Sequence, residues 1–332
     1  MAAPARPLLA EDDATTVPES FAGLVDALRA AAEPTRLRLL AILAHGELTV
    51  SELTQLLGQS QPRISRHLRL LDDAGLLERV PEGAWVFYRL RDHALVQAVL
   101  TLLPVDDPLL AADRARLHDV QRAREAVAEA YFEAHAHEWG EIRSLYVAEA
   151  EVEQALLSAD AAATEIDDLL DIGTGTGRVL ELLAPRATRA VGIDRSPAML
   201  GAARPAFADP RLRHVQLRQG DMYRLPVADA SVDLAVLHQV LHYADDPATA
   251  IREVARVLRP GGRVLLVDFA PHTLEFLRSE HAHRRLGFAT DEVRLWCAGA
   301  GLRLREAARL AGDPLTVVVW EATRPSDRVH RP

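Results

Sequence analysis

The sequence predicts an α/β protein with two structured parts that differ in their residue patterns. Toward the N-terminus, apolar residues recur at helical spacing and are followed by one pair of short alternating segments. From residue 166 onward, apolar runs of strand length alternate with helical patterns, which predicts a mostly parallel sheet covered by helices. The chain of 332 residues, 49% apolar and 26% charged, is long enough for two globular cores.

Composition narrows the possible functions. The net charge of −10 argues against extensive coating of nucleic acid but allows a local basic surface. A single cysteine, Cys297, excludes disulfides within the chain and a metal site built from several thiolates, so we expect no metal. The stretch MAAPARPLLA lacks the pattern of a signal peptide, and no apolar run has the length of a membrane span. We therefore expect a cytoplasmic protein without a membrane partner.

The N-terminal part begins with helices after a tail, residues 1–19, that we expect to be disordered. Helical patterns cover residues 21–32 and 34–43. A third helix opens at Thr49 with Glu52 three places on, which is a capping box. It ends at Gly58, where a glycine permits the left-handed conformation that closes many helices.

The fourth helix has one apolar face and one basic face. It begins at Ser60 and ends at Gly75, and two alternating segments around residues 81–83 then predict a β-hairpin. A solvated charged face is the usual explanation for such a helix, but here the charges from 63 to 71 are all positive in an acidic chain. Three helices, a basic helix and a hairpin describe a winged helix-turn-helix that reads the major groove. We expect DNA contacts from Ser60, Gln61, Arg63, Ser65, Arg66, His67, Arg69, Arg79 and Arg89.

This part of the chain resembles the arsenic-repressor (ArsR/SmtB) family of small dimeric bacterial regulators. The resemblance rests on EPTRLRLLAIL, LGQSQPRISRHLRLLDDAGLL and ERVPEGAWVFYRL, and it implies a homodimer that binds double-stranded operator DNA. Arsenic-sensing members carry cysteines where this chain has Thr49 and Ser51, and a hydroxyl does not replace a thiolate for a soft metal. We expect the winged helix-turn-helix domain to span 20–103 and a helical connector to span 104–157.

The second part is organised around LLDIGTGTGR, in which an apolar run ends in Asp171 and turns through three alternating glycines. Such a turn brings backbone amides close to a ligand. A dinucleotide fingerprint needs its third glycine three places after the second, whereas that place is Arg178 here. A glycine-rich turn that binds nothing is the structural alternative.

An acidic residue followed by GxGxG resembles the first motif of class I S-adenosylmethionine-dependent methyltransferases. The second strand ends in Asp194, where a carboxylate can accept both hydroxyls of a ribose. The segment GDMYRLPV resembles the one in which Asp221 holds the adenine amino group and the Met222 amide meets the ring. The resemblance implies a Rossmann-like, mostly parallel seven-stranded sheet over 158–325. It also implies binding of S-adenosyl-L-methionine, with S-adenosyl-L-homocysteine as product, by Asp171, Gly173, Gly175, Gly177, Asp194, Asp221, Met222 and His238.

Methyl transfer requires a positioned nucleophile and, where that nucleophile carries a proton, a base. His238 and His242 follow the fourth strand of the predicted sheet and are the candidate catalytic residues. His281 and His283 are candidates to reach the same opening. For each of them, a partly buried hydrogen-bonding histidine is the structural alternative.

Three interpretations of the whole chain remain open. The first, which we adopt, is a DNA-binding regulator fused to a working methyltransferase that acts on a small molecule. The second is a sensor that binds the cofactor without turnover, and the third is a methyltransferase whose winged helix only forms a dimer. Arg63, Arg66 and Arg69 argue against the third interpretation, because a dimerisation domain has no need of a basic helix.

Overall fold

The computed structural model describes residues 20–91, 93–136, 148–160 and 166–326. Within these ranges the chain forms two compact units, divided between Arg122 and Ala123. The predicted tail lies outside the described residues, as does the later part of the predicted connector from 137 to 147. No helix in the described ranges is both long and apolar enough to cross a membrane.

The N-terminal unit consists of helices around a small antiparallel sheet, as the sequence predicted. The strands β1 (Leu48–Thr49), β2 (Leu77–Glu82) and β3 (Trp85–Leu90) lie in the order β1-β3-β2. The helices are α1 (Phe21–Ala31), α2 (Pro34–Leu43), α3 (Val50–Leu57), α4 (Gln61–Asp73), α5 (Ala94–Leu102) and α6 (Pro108–His135), of which α6 continues past the division between the units.

Two predicted features of this unit are confirmed. The capping box at Thr49 and Glu52 is present, with both reciprocal hydrogen bonds formed. The apolar side of α4 is buried in the core through Ile64, Leu68 and Leu71. This packing fixes which side of α4 faces the core and leaves the opposite side of the helix toward solvent.

A buried ion pair fixes the start of α6 against α2. Arg38 donates to both carboxylate oxygens of Asp113 at 2.6 and 2.7 Å, and the Asp113 side chain is almost completely buried. Arg116 also donates to the Asp113 carboxylate and, at 2.7 Å, to the backbone oxygen of Leu56 at the end of α3. A bidentate arginine–carboxylate pair is geometrically specific, so the first turns of α6 have one defined position in this unit.

The second unit is built on a seven-stranded sheet in the order β6-β5-β4-β7-β8-β10-β9. The strands run parallel except β10, which is antiparallel to both of its neighbours. The predicted Rossmann-like sheet with an antiparallel hairpin at its end is therefore confirmed. The strands are β4 (Ile166–Ile172), β5 (Ala187–Asp194), β6 (Val215–Gln219), β7 (Val232–His238), β8 (Leu258–Phe269), β9 (Arg303–Ala311) and β10 (Thr316–Thr323).

Helices cover both faces of this sheet. They are α7 (Glu149–Asp160), α8 (Arg178–Leu183), α9 (Pro197–Ala203), α10 (Pro247–Val257), α11 (Phe276–Glu280) and α12 (Thr290–Gly299).

Successive residues of the central strands enter different cores, as Leu169 and Leu170 do. One core includes residues of α10 and α12, and the other includes residues of α7 and α8. With both faces covered, the place left for a ligand is the carboxyl edge beside β4, where the strand order reverses.

Candidate functional site

The predicted cofactor residues meet at the carboxyl edge of the sheet. The register pairs Ile172 of β4 with Ile193 of β5 on one side and with Leu237 of β7 on the other. The glycine turn after β4 therefore lies between Asp194, the last residue of β5, and His238, the last residue of β7. In an open α/β sheet, this is where ligands bind.

The glycine turn is held mainly by the fold itself. Gly173, Gly175 and Gly177 have φ angles of 68°, 55° and 83°, which lie in the left-handed region that favours glycine. A Cβ atom on Gly173 would lie 2.4 Å from a methyl carbon of Val240, and one on Gly177 would lie 2.6 Å from the ring of Phe207. The space at these two glycines is occupied by protein side chains, so packing within the fold requires a glycine at both positions.

Asp171 holds the turn from below. Its side chain is almost completely buried, and its Oδ2 accepts a hydrogen bond of 2.6 Å from the hydroxyl of Thr174. The Gly173 and Thr174 amides both donate to the backbone oxygen of Ile193, at 2.7 and 3.0 Å. These bonds tie the turn to β5, and the structure places Asp171 inside that support.

Asp194 has the geometry expected of a carboxylate that receives two hydroxyl groups. Its Oδ2 accepts from the Gly175 amide and its Oδ1 from the Ser196 amide, both at 2.8 Å. A carboxylate offers about four lone-pair directions, so each oxygen retains capacity for a further donor. Burial raises the pKa of the Asp194 carboxyl, while the hydrogen bonds from backbone amides act in the opposite direction. The residue fits an adjacent pair of hydroxyls.

Asp221 and Met222 lie side by side in the loop after β6, and both are half-buried. The Asp221 Oδ1 accepts from the Tyr223 amide at 2.9 Å, which fixes the loop. The Tyr223 hydroxyl in turn accepts from the Asp245 amide at 2.7 Å, and burial raises the pKa of that hydroxyl. A carboxylate beside a thioether suits a flat ring that carries an amino group.

His238 faces a small cavity next to the glycine turn. The cavity is also lined by Gln239, by Val179 of α8 and by residues of α7. Arg178 donates to both carboxylate oxygens of Glu153 at 2.6 and 2.9 Å. Glu153 itself lines the cavity, so a charged pair borders the opening beside His238.

His242 lies in a different environment from His238, although the sequence placed them together. Its Nδ1 is 2.8 Å from Oδ1 of Asp268, and both side chains are buried. Its ring stacks on that of His283 with the centroids 4.0 Å apart. Sequence reasoning missed Asp268, although an acid that ends the apolar run of β8 was a usable signal. Among the residues that the structure describes, no group of three or more His, Cys, Asp or Glu side chains could hold a metal ion.

In the N-terminal unit, the basic side of α4 is open to solvent. Arg63, Arg66 and Arg69 are exposed, and none of them forms an ion pair with a residue in the described ranges. Ser60 precedes the helix without a side-chain capping bond. Three further residues were predicted to contact DNA. Gln61 on α4 and Arg79 on β2 are exposed, and Ser65 is half-buried.

His67 and Arg89 both lie near acidic residues of the same unit. The Nδ1 of His67 lies 3.5 Å from Oε2 of Glu33 but has no hydrogen-bond partner in the described ranges, and burial lowers the pKa of this imidazole. Arg89 pairs with Glu78 at 2.8 Å and with Glu47 at 3.3 Å. The DNA contacts of both residues stay a prediction.

Models of known protein families match one segment in each unit. Residues 33–79 match the model for the bacterial regulatory protein arsR family. Residues 170–266 match the model for a methyltransferase domain. Both matches fall on the segments whose geometry is described above.

The relatives cover only part of the chain. It is 35% identical over 152 residues, or 44% of its length, to an uncharacterized 37.1 kDa protein in a Streptomyces fradiae transposon, and the match covers 42% of that protein. It is 34% identical over 151 residues, or 41% of its length, to a protein of Mycolicibacterium smegmatis named as a probable S-adenosylmethionine-dependent methyltransferase, covering 57% of it. The chain thus spans about half the length of these curated relatives. The chain is also similar to the crystal structure of the YcgJ protein from Bacillus subtilis, with 20% sequence identity and a TM-score of 0.46. The aligned region spans 52% of this chain and 98% of the YcgJ chain.

The close approach at Gly173 leads to a stability prediction. Gly173→Ala should destabilise the second unit by about 1–3 kcal/mol, because the added methyl overlaps Val240 and alanine disfavours a positive φ. Hydrogen exchange of the β4 and β7 amides measures the effect. Gly201→Ala is the matched control: nothing lies within 4 Å of the added carbon, and alanine favours the α9 helix. Unchanged exchange in Gly173→Ala would contradict the tight packing. Adding Val240→Ala to Gly173→Ala should restore part of the lost stability, because it removes the methyl groups that the new side chain overlaps.

Proposed function

The chain joins an arsR-family helix-turn-helix segment to a methyltransferase domain, and on this premise we propose that it is a DNA-binding transcriptional regulator that also methylates a small molecule. The observation that carries the regulatory part is the open basic side of α4. In an acidic chain, three exposed arginines without an acidic partner among the described residues are suited to phosphate and guanine groups.

For the cofactor we propose S-adenosyl-L-methionine. Asp194 would bind the ribose hydroxyls through its remaining lone pairs, and Asp221 with Met222 would hold the adenine. Gly175 would let the backbone approach, with Asp171 and Thr174 fixing the turn. The cofactor supplies an electrophilic methyl group, and these residues orient it at the carboxyl edge, where His238 and His242 also lie.

We further propose a homodimer that acts in the cytoplasm on double-stranded operator DNA. A symmetric dimer presents two recognition helices to successive major grooves, which is how helix-turn-helix proteins read palindromic sites. The dimer interface could include α1, whose apolar side chains Phe21, Leu24 and Leu28 are exposed in the single chain.

Two alternatives come from other classes of protein. A sensor would bind the cofactor at the same residues without turnover, and an enzyme would use the winged helix only to dimerise. The exposed arginines of α4 disfavour the second alternative. Finding DNA binding without methyl transfer to any acceptor would favour the sensor.

Operator binding should depend on α4. We expect Arg66→Ala to weaken binding to the gene's own upstream DNA by about 10- to 100-fold, since one arginine contact to a base or phosphate contributes roughly 1–3 kcal/mol. Fluorescence anisotropy measures the affinity. Arg122→Ala is the control, because it removes the same charge from an exposed position on α6. Cofactor affinity should stay unchanged in both variants, and its loss in Arg66→Ala would contradict the separation of the two sites.

Cofactor binding should depend on Asp194. We expect Asp194→Ala to weaken binding of S-adenosyl-L-methionine by about 100-fold, because two hydrogen bonds to a charged acceptor are lost. Calorimetry measures the dissociation constant. Asp209→Ala, at an exposed acid of the same unit paired with Arg211, is the control and should bind normally. An unchanged dissociation constant in Asp194→Ala would remove the ribose assignment.

Operator affinity should also differ among three states of the protein: without ligand, with S-adenosyl-L-methionine and with S-adenosyl-L-homocysteine. The reason is that one helix, α6, belongs to the packing of the first unit and continues into the second. Coupling of this kind requires a ligand that binds two states with different affinity. Anisotropy on the upstream DNA measures it, with unrelated DNA as the control. Equal affinities in all three states would exclude coupling and the sensor alternative.

A further inference from the structure

The turn after β7 carries a buried histidine–aspartate pair. His242 and Asp268 are 2% and 0% exposed, and the ring nitrogen Nδ1 lies 2.8 Å from Oδ1 of the carboxylate. The other oxygen, Oδ2, accepts the backbone amide of His242 at 3.2 Å. One carboxylate thus fixes both the backbone and the ring of His242, so the imidazole has a defined orientation.

This contact determines which nitrogen of His242 carries the proton. A carboxylate only accepts hydrogen bonds, so Nδ1 carries the proton of the neutral imidazole, in which Nε2 keeps its lone pair. The Nε2 atom is buried and has no hydrogen-bond partner among the described residues. A buried polar atom left unpaired costs about 1–3 kcal/mol, and native structures seldom keep one without a use.

The groups around His242 are aromatic. Its ring centroid lies 4.0 Å from that of His283, 4.2 Å from that of Tyr243 and 5.4 Å from that of Phe269. Burial lowers the pKa of His283, which is therefore neutral, and its Nδ1 also has no hydrogen-bond partner in the described ranges. Burial likewise raises the pKa of the Tyr243 hydroxyl. Aromatic side chains and two unpaired ring nitrogens beside the Asp268 carboxylate suit a flat aromatic molecule that donates a proton.

The pair also lies next to the glycine turn. Val240, two residues before His242, is the side chain against which Gly173 packs. The carboxylate comes from the end of β8, the neighbour of β7 in the sheet. His242 therefore belongs to the same carboxyl edge as Asp194 and His238, on the side of β7 that faces away from the ribose position.

We propose that Nε2 of His242 accepts the proton of a phenolic hydroxyl during methyl transfer, and that Asp268 is the residue that positions it. This inference rests on the proposed methyltransferase function. In the step, the phenolic oxygen forms a bond to the methyl carbon, the carbon–sulfur bond breaks with its electron pair left on sulfur, and the phenolic proton moves to Nε2. Asp268 stabilises the imidazolium that results, as a buried carboxylate does for a histidine base.

Two simple phenols used as probes separate catalysis from folding. Phenol keeps its proton at neutral pH and needs a base, whereas 4-nitrophenol is far more acidic, is already partly ionised at neutral pH and becomes mostly ionised in a slightly alkaline assay, so it needs a base much less. We expect His242→Gln to lower kcat/KM for phenol by about 100-fold or more, the usual effect of removing a general base, and to change that for 4-nitrophenol by less than about 5-fold. The full-length protein is assayed with S-adenosyl-L-methionine, whose affinity for each variant is measured by calorimetry.

Asp268→Asn tests the positioning role. The amide can donate to Nδ1, which moves the ring proton to Nε2 and blocks its lone pair, so the same selective loss on phenol is expected. Nitrogen-15 NMR of labelled histidine reports this change of tautomer directly, even where turnover is slow. His214→Gln is the matched control, because His214 bonds to the Ala184 backbone oxygen at the opposite edge of the sheet.

The outcomes distinguish this inference from the proposed function. Equal losses on both phenols, or a wild-type His242 protonated at Nε2, would overturn the base assignment. Transfer to neither phenol by a wild-type protein that binds the cofactor would overturn the phenolic class of acceptor. Failure of the wild-type protein to bind the cofactor would instead overturn the proposed function.

Discussion

The contact between Gly173 and Val240 is the constraint on which the second unit's site depends. A side chain at position 173 would overlap Val240, so the turn after β4 and the turn after β7 lie at the closest possible distance. The first turn carries the amide of Gly175 to Asp194, and the second carries His242 to Asp268. One packing contact therefore sets the relation between the position that fits a ribose and the position that fits a proton acceptor. Because packed side chains resist small displacements, both positions are preorganised before any ligand arrives.

The exposed arginines of α4 differ from several other arginines of the described chain in having no acidic partner. Among the described residues, several buried or half-buried arginines pair with acids, as Arg38 does with Asp113 and Arg178 with Glu153. On α4 the exposed arginines have no such partner within the described ranges, although the chain has ten more acidic than basic side chains. Within the described ranges, no acidic side chain therefore neutralises these arginines on the solvent-facing side of α4. A group of unpaired positive charges favours the approach of an anionic polymer even when the total charge of the chain is negative.

Local patterns predicted most of the fold because the main elements end at residues with a defined conformational or chemical role. Strand β4 ends directly before the glycine turn that the sequence predicted, and it is followed by glycines that the turn requires. The capping box at Thr49 and the buried face of α4 follow equally from spacing along one helix. Sequence reasoning also placed Asp194 at the end of a strand, which sets its position at the sheet edge.

Contacts between distant segments were beyond local patterns. The proximity of His67 on α4 to Glu33 at the start of α2 is such a case, because on a helical wheel His67 counts simply as part of the basic side. His238 and His242 are four positions apart, but a positive φ at Gln239 and the turn that follows send them into different surroundings. Asp268 became relevant only when the sheet order placed β8 beside β7.

The unpaired nitrogens near His242 connect stability with chemistry. A leucine at 242 would avoid an unsatisfied buried acceptor, but Asp268 would then need another donor. The present arrangement keeps the carboxylate satisfied by Nδ1 and two backbone amides, so within the His242–Asp268 pair only Nε2 lacks a hydrogen bond. Concentrating the deficit on one atom, with its lone pair held in a fixed direction, is unfavourable for folding. It is favourable for proton transfer, because the same atom gains a hydrogen bond only when a proton donor occupies the site.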